Sequence, residues 1–254
     1  MTGVAGAVVP ALAGAGLGAI IGSFLGAIVM RWPRGESVMK GRSYCDACGR
    51  TLGVVDLIPL FGALIQRGRC RRCGARIDPA HMLMEAGCAL IGGVALGTLP
   101  LLAGLLVAMG GWLLLTLAIF DARHFWLPDL LTLPLAVIGL TIGDWILPAP
   151  FWDRATGAAL GYGLLFALAW GYRRFRGRDG LGLGDAKLLG AIGAWMGWQA
   201  LPLVLLLASS AGLLWVLIQA LRGRAVERGT RVPLGTFLCC AVPAAMVAGH
   251  LLGS

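Results

Sequence analysis

The chain has 254 residues, 58% of them hydrophobic and 13% charged, with 40 glycines. A soluble core does not need that much apolar surface, and repeated uncharged runs of about 18 residues or more read as membrane spans, so a soluble globular domain is excluded. The formal charge of +9 would suit a nucleic-acid partner, but no nucleic-acid-binding motif accompanies it, and its distribution gives it another meaning.

In chain order, residues 1–30 carry no charged side chain and lack the basic start of a cleaved signal peptide, so they read as a first span over about residues 8–30. The one sizeable polar segment follows, residues 31–78. It holds Cys45-Asp46-Ala47-Cys48 and Cys70-Arg71-Arg72-Cys73, two C-x-x-C pairs separated by 21 residues. Four thiolates on two tight turns suit a tetrahedral Zn2+, and Gly49 and Gly74 each follow a second cysteine, where such a turn needs a residue tolerant of positive φ. Two disulfides or a redox pair would use the same residues. A reducing cytosol argues against the first, and two copies bracketing a short insert against the second. A loop of 48 residues buries little core of its own, so metal would act as its staple.

The 35 uncharged residues 86–120 are too many for one span of about 20 residues, and Thr98-Leu99-Pro100 supplies a break between spans two and three. Span four covers about residues 130–147 and ends at Pro148-Ala149-Pro150. Span five covers about residues 155–170. A second uncharged run, the 34 residues 188–221, divides near Gly197-Trp198-Gln199 and Pro202 into a short span six and a span seven. Span eight covers about residues 233–252. The predicted fold is an all-α polytopic membrane protein of about eight transmembrane helices, with a small zinc-ribbon-like loop between helices 1 and 2. Its parts are a first helix (1–30), a tetra-cysteine loop (31–78) and a membrane-embedded core (79–254). Eight spans place 20 of the 21 Lys and Arg residues on one side, with Arg154 alone on the other. The positive-inside rule makes the basic side cytoplasmic and both termini external, so the net charge is a topology signal facing anionic lipid headgroups.

Two carboxylates border the long uncharged runs on the cytoplasmic side. Asp121 ends the first; Asp185, in Gly182-Leu183-Gly184-Asp185-Ala186-Lys187, precedes the second. An acid at the mouth of an apolar segment is costly to ionise and is a functional candidate. Two that meet can share a proton and activate water. Structural roles compete: Asp121 could pair with Arg123 or Lys187, and Asp185 could cap span six. Asp129 would lie about 12 Å from Asp121 along a continuous helix, too far to share a proton. Pro128 breaks the helix before it, so Asp129 reads as the cap of span four. The glycines at 182 and 184 either let a peptide approach the acid closely or form a plain flexible loop. Glu85 opens span two beside the cysteine loop, where it could pair with arginines or serve a second activity. His81, His124 and His250 do not converge, and neither H-E-x-x-H nor G-x-S-x-G is present. Two carboxylates are therefore the best remaining means of activating water. Cys88, Cys239 and Cys240 read as small apolar fillers, Asp179 as a solvated loop charge, and Asp144 and Asp153 as external.

In this order and topology the residues resemble the type IV prepilin leader peptidases, the GxGD-type intramembrane aspartyl proteases of type IV pilus and type II secretion systems. The likeness rests on Gly22-Ser23-Phe24-Leu25, the paired C-x-x-C loop, Glu85, Phe120-Asp121 through Pro134, Gly182 through Lys187, and Pro233-Leu234-Gly235-Thr236-Phe237-Leu238. It implies that Asp121 and Asp185 are the catalytic pair, with Gly182, Gly184, Lys187 and Glu85 in supporting roles. It also implies that leaders of prepilins and pseudopilins are cut after a glycine at the cytoplasmic face of the bacterial inner membrane. Members with the cysteine loop also N-methylate the new N-terminal residue with S-adenosylmethionine, so the resemblance implies that cofactor and makes residues 79–254 an aspartyl peptidase core. Gly26 departs from the asparagine of the first motif, His81-Met82 from a usual Tyr-Pro, and Arg123 from a second aspartate in some members. Rival readings are a peptidase whose loop only docks or stabilises, a proton-coupled transporter with acids near the bilayer midplane, and a zinc-stapled assembly factor.

Overall fold

The computed structural model describes residues 3–39, 42–143, 149–177, 182–223 and 232–252. Among them the regular structure is helical, and two isolated bridges, Tyr44 with Thr51 and Arg69 with Arg76, are the extended pairing. The chain divides into two compact units, Met1–Thr116 and Leu117–Ser254.

The first unit contains α1 (Gly3–Arg31), the cysteine loop with its one-turn α2 (Phe61–Ile65), α3 (Pro79–Thr98) and most of α4 (Leu101–His124). Helices α1 and α3 pack together along their length. Sequence explains how closely: Gly14, Gly18, Gly22 and Gly26 recur every fourth residue on one face of α1. A side chain at Gly18 would run into the Cys88 backbone, and one at Gly22 would meet the Met84 carbonyl at 2.5 Å. Small residues at this spacing let backbones touch in lipid, where dispersion rather than hydrophobic expulsion drives association. Asp78 caps α3, its Oδ1 accepting from the Ala80 N–H at 2.8 Å. Leu99 and Pro100 separate α3 from α4, and Trp112 Nε1 ties α4 back to the Cys88 carbonyl at 2.9 Å.

The second unit takes in the last turns of α4, then α5 (Asp129–Ile142), α6 (Phe151–Arg176), α7 (Leu183–Met196), α8 (Leu201–Leu221) and α9 (Leu234–Leu252). Helix α7 is its centre and packs against α5, α6 and α9. Gly193 of α7 meets Gly157 of α6 backbone to backbone, and Trp195 Nε1 donates to the Leu135 carbonyl of α5 at 2.7 Å. Gly197, at φ 80°, turns the chain into α8, with Pro202 in its first turn.

The protein is a helical membrane protein. Among the described residues, four helical segments are long and apolar enough to cross a membrane: Gly6–Arg34, Pro79–Thr98, Leu101–His124 and Trp198–Leu221. Helices α5 and α9 are apolar but shorter, and α6 has the length but carries Asp153, Arg154 and three arginines near its ends. Helix α6 outruns its expected span at both ends, because Pro150 starts it early and Gly177, at φ 65°, closes it only after Arg176. Helix α5 is described to Ile142; Asp144, Asp179, Gly180 and Leu181 lie outside the described residues. Arg154, which the span count sets apart from the other cations, is fully buried and donates to the Gly139 carbonyl at 2.6 Å. It is part of the helix packing, not a charge presented to solvent.

Candidate functional site

In the second unit, α4 stays apolar up to Phe120 and then presents Asp121, which is 5% exposed. The helix closes four residues on, where the Phe125 N–H returns to the Asp121 carbonyl at 3.0 Å with Phe125 at φ 50°. Asp121 Oδ2 accepts from the Thr236 backbone N–H at 2.7 Å and lies 3.2 Å from Thr236 Oγ1, which also donates to the Ala118 carbonyl at 2.9 Å. The Gly235 N–H hydrogen-bonds toward Asp121 and Asp185 alike, and the two carboxylates are close enough to feel each other's charge. Gly235 and Thr236 belong to the first turn of α9, whose N–H groups have no partner within the helix. The helix N-terminus therefore faces the acid pair with its positive end.

Asp185 reaches this point from α7. The structural alternative, that Asp185 caps the helix, does not hold: Gly182 is the N-cap and Asp185 sits inside the first turn. From there its carboxylate turns back toward Gly182, whose N–H hydrogen-bonds to it, while its Oδ1 is buried without a hydrogen-bond partner among the described residues. Two glycines make the approach possible. A side chain at Gly184 would meet Leu127 Cβ at 3.0 Å, and one at Gly235 would meet Leu127 Cδ1 at 2.9 Å and Asp121 Cγ at 3.1 Å.

Asp129 does not cap α5. Pro128 occupies the cap position, and the Asp129 carboxylate instead takes both oxygens to Lys187 Nζ, at 2.8 and 2.7 Å. A long-range ion pair outcompetes the local cap because Lys187 emerges from the first turn of α7 beside the start of α5. It also shows where Lys187 goes: its contact is with Asp129, two residues along α7 from Asp185.

In the first unit the four cysteines converge, with Sγ atoms all within 4.8 Å of one another. The two turns are copies. In each, the first cysteine's N–H bonds the carbonyl five residues on (Arg50, Ala75), and the glycine after the second cysteine donates to the first cysteine's carbonyl at 2.9 Å. Gly49 and Gly74 take φ of 66° and 71°. The backbone N–H groups of Cys73 and Arg72 point at the Cys70 sulfur and pull its thiol down to about 6. Four convergent sulfurs on preformed turns, one drawn toward thiolate, fit a tetrahedral metal ion.

Glu85 is 4% exposed and, among the described residues, pairs with no arginine. Its Oε2 accepts from the Leu60 N–H at 2.7 Å, its Oε1 lies 3.3 Å from His81 Nε2, and the Ser23 side chain also bonds to it. Leu60 has φ 64°, so the glutamate holds a strained loop residue against α3. A cavity of about 260 Å³ lies above Glu85, between the cysteine loop and the ends of α1 and α3.

Sequence reasoning did not select Gly235 and Thr236 as site residues. Their contribution is mainly backbone N–H, which leaves no side-chain signature. The available signals were the Pro233–Leu238 stretch, which carries part of the resemblance, and Pro233 just before an apolar run, marking a helix start with unspent donors.

These features define a class: polytopic helical membrane proteins with a four-cysteine knuckle and a juxtaposed pair of carboxylates. Comparison with known proteins narrows it. Residues 17–98 match the bacterial peptidase A24 N-terminal domain and residues 108–217 the type IV leader peptidase family. Proteins named prepilin leader peptidase/N-methyltransferase are similar over most of the chain. That of Aeromonas salmonicida is 38% identical over 212 residues, 81% of this chain and 70% of the relative. That of Klebsiella pneumoniae is 41% identical over 192 residues, 72% and 81% respectively, and that of Pseudomonas aeruginosa 38% over 201 residues, 78% and 69%. No solved structure matches significantly. The chain belongs to the type IV leader peptidase family.

Proposed function

We propose that this protein is an intramembrane aspartyl endopeptidase that removes the leader of type IV prepilins and pseudopilins after a glycine, and that it N-methylates the residue thereby exposed. The observation that carries the peptidase reading is the meeting of Asp121, Asp185 and the Gly235–Thr236 amides at one point. One carboxylate, ionised, takes a proton from water as the water oxygen bonds to the scissile carbonyl carbon. The other, protonated, hydrogen-bonds the carbonyl oxygen as charge develops there, and the proton gained by the first passes to the leaving amine. The pair titrates as a unit. The amides of α9 hold Asp121 in place, and Asp185 Oδ1, buried and without a hydrogen-bond partner among the described residues, is the oxygen turned to water or substrate. Gly182 and Gly184 leave room for a peptide beside Asp185, and Lys187 anchors that turn through Asp129.

The methyl-transfer half is supported by the relatives' names. S-adenosylmethionine, when bound, supplies a methyl carbon to the amine lone pair as the C–S electron pair withdraws to sulfur and one N–H proton leaves to solvent. Cys45, Cys48, Cys70 and Cys73 would hold a structural Zn2+ that folds the loop. The Lys and Arg distribution supports an inner-membrane topology with both termini external and the acids and cysteine loop cytoplasmic. The parts would then be a first helix (1–30), a zinc loop (31–78) and a peptidase core (79–254).

The test is incubation of the purified protein with a purified prepilin and S-adenosylmethionine, read by intact mass. Leader loss and methyl gain are expected as separate mass changes. An intact precursor would refute the peptidase reading, and leader loss without methyl gain would leave a peptidase whose loop serves docking or stability.

A further inference from the structure

We propose that residues 54–65, the insert between the two cysteine knuckles, lie in the headgroup and upper acyl region of an anionic lipid leaflet and hold the cysteine loop against the membrane. The proposal does not depend on which reaction the protein performs.

The 16 residues 51–66 carry a single charge, Asp56, although they belong to the polar segment between the first two spanning helices. That charge is turned inward. Its side chain is 3% exposed, and its Oδ2 accepts from Arg50 at 2.8 Å and from the Gly53 N–H at 3.0 Å. What remains outside is apolar. Val54 is 81% exposed, and on α2 Phe61, Leu64 and Ile65 are 66%, 66% and 61% exposed. These three stand at i, i+3 and i+4, so they share one face of the helix. Ala63 and Gln66 instead line the cavity above Glu85. Gly62 brings the two halves of the insert together, since a side chain there would meet the Asp56 carbonyl at 2.6 Å. An exposed apolar face on an otherwise polar loop marks an interaction site.

Depth, backbone and charge make the occupant lipid. The insert is fastened to a spanning helix: the Leu60 N–H donates to Glu85 Oε2 at 2.7 Å. Glu85 is six residues past Pro79, so the bond lies about 9 Å along the α3 axis from the helix start. Leu83, two residues before Glu85, is apolar and exposed on that helix. A soluble partner would have to reach the face at this depth. The backbone suits lipid because its donors are spent internally. The Asp56 and Leu57 N–H groups donate to the Gly53 carbonyl, Gly62 to Ile58, Leu64 to Leu60 and Gln66 to Gly62. Paired donors are what a segment needs to leave water. Exposed arginines, Arg67, Arg69 and Arg72, follow the apolar stretch in sequence. An apolar face beside basic side chains complements a leaflet with anionic headgroups.

The full-length protein is placed in nanodiscs of phosphatidylglycerol and phosphatidylcholine doped with a phospholipid that carries a diazirine near the top of one acyl chain. After irradiation its lipid-labelled peptides are mapped. Label on residues 54–65 within about threefold of that on residues 83–94 of α3 is expected, and label on α3 with at least about tenfold less on the insert overturns the proposal. Phe61→Asp combined with Leu64→Asp charges the outer face and should lower label on the insert by at least about tenfold while α3 keeps its own. Undiminished label in that variant, shown to be folded by melting, overturns the proposal as well. In nanodiscs of phosphatidylcholine alone the insert should lose label several-fold, and equal label in both lipid mixtures overturns the anionic assignment. Cross-links from residues 54–65 to a second copy of the chain, with lipid label confined to α3, would assign the face to a protein partner and overturn the proposal.

Discussion

The cysteine knuckles and the carboxylate pair each gather polar groups within an apolar protein, and they do so by opposite routes. Each knuckle is a local device. A few consecutive residues set the turn, the glycine and the direction of the sulfurs, and the second copy repeats the first hydrogen bond for hydrogen bond. The acid pair is assembled from the end of α4, the start of α7 and the start of α9, with Asp121 and Thr236 115 residues apart. The first arrangement depends on a ligand to close it. The second depends on helix packing, and its donors are chiefly backbone amides, which no side-chain substitution removes directly, joined by the Thr236 hydroxyl.

That contrast can be broken at several points. The largest expected effect is chelation. A structural zinc site is worth on the order of 10 kcal/mol, so removing metal should unfold residues 43–78 while α5–α9 keep their protection in hydrogen-exchange mass spectrometry. Next is Gly235→Val, which would push a side chain against Asp121 and Leu127. Displacing the acid should lower kcat/KM for leader removal by about 10²-fold, with bound zinc unchanged by elemental analysis.

Thr236→Val removes the hydroxyl but keeps the N–H on Asp121. Loss of one hydrogen bond to a charged group predicts roughly a tenfold fall in kcat/KM. A fall as large as that of Gly235→Val would mean that the hydroxyl, not the amide, organises the pair. Smallest is the Lys187–Asp129 pair, whose side chains are 36% and 54% exposed. A double-mutant cycle of Lys187→Met and Asp129→Asn on thermal stability should give a coupling within about 1 kcal/mol.

The same contrast explains what was legible in the sequence. The knuckles could be read from spacing because their determinants are adjacent. The breaks at Pro100 and Gly197 could be read because proline and glycine act locally. Asp121 and Asp185 stood out because each borders a long uncharged run. What the sequence hid was set by contacts between distant segments. Asp129 beside Pro128 has the local chemistry of a cap, and only packing of α7 against α5 delivers Lys187 to it. Asp185 looks like a cap until α7 is seen to begin at Leu183. Arg154 counts only as the one cation on the far side of the span count until α6 packs and turns it onto the Gly139 carbonyl. Thr236 carries no local mark of its bond to an acid 115 residues earlier.

The central claim is that Asp121 and Asp185 act as one unit. It is tested most directly by initial rates of leader removal from one purified prepilin by wild type, Asp121→Asn, Asp185→Asn and the double variant, all shown to be folded. Groups that work as a unit are not additive, so each single change should lower the rate by at least about 10³-fold, to the level of the double variant. A single variant within about tenfold of wild type, or a double variant far slower than either single, would contradict it.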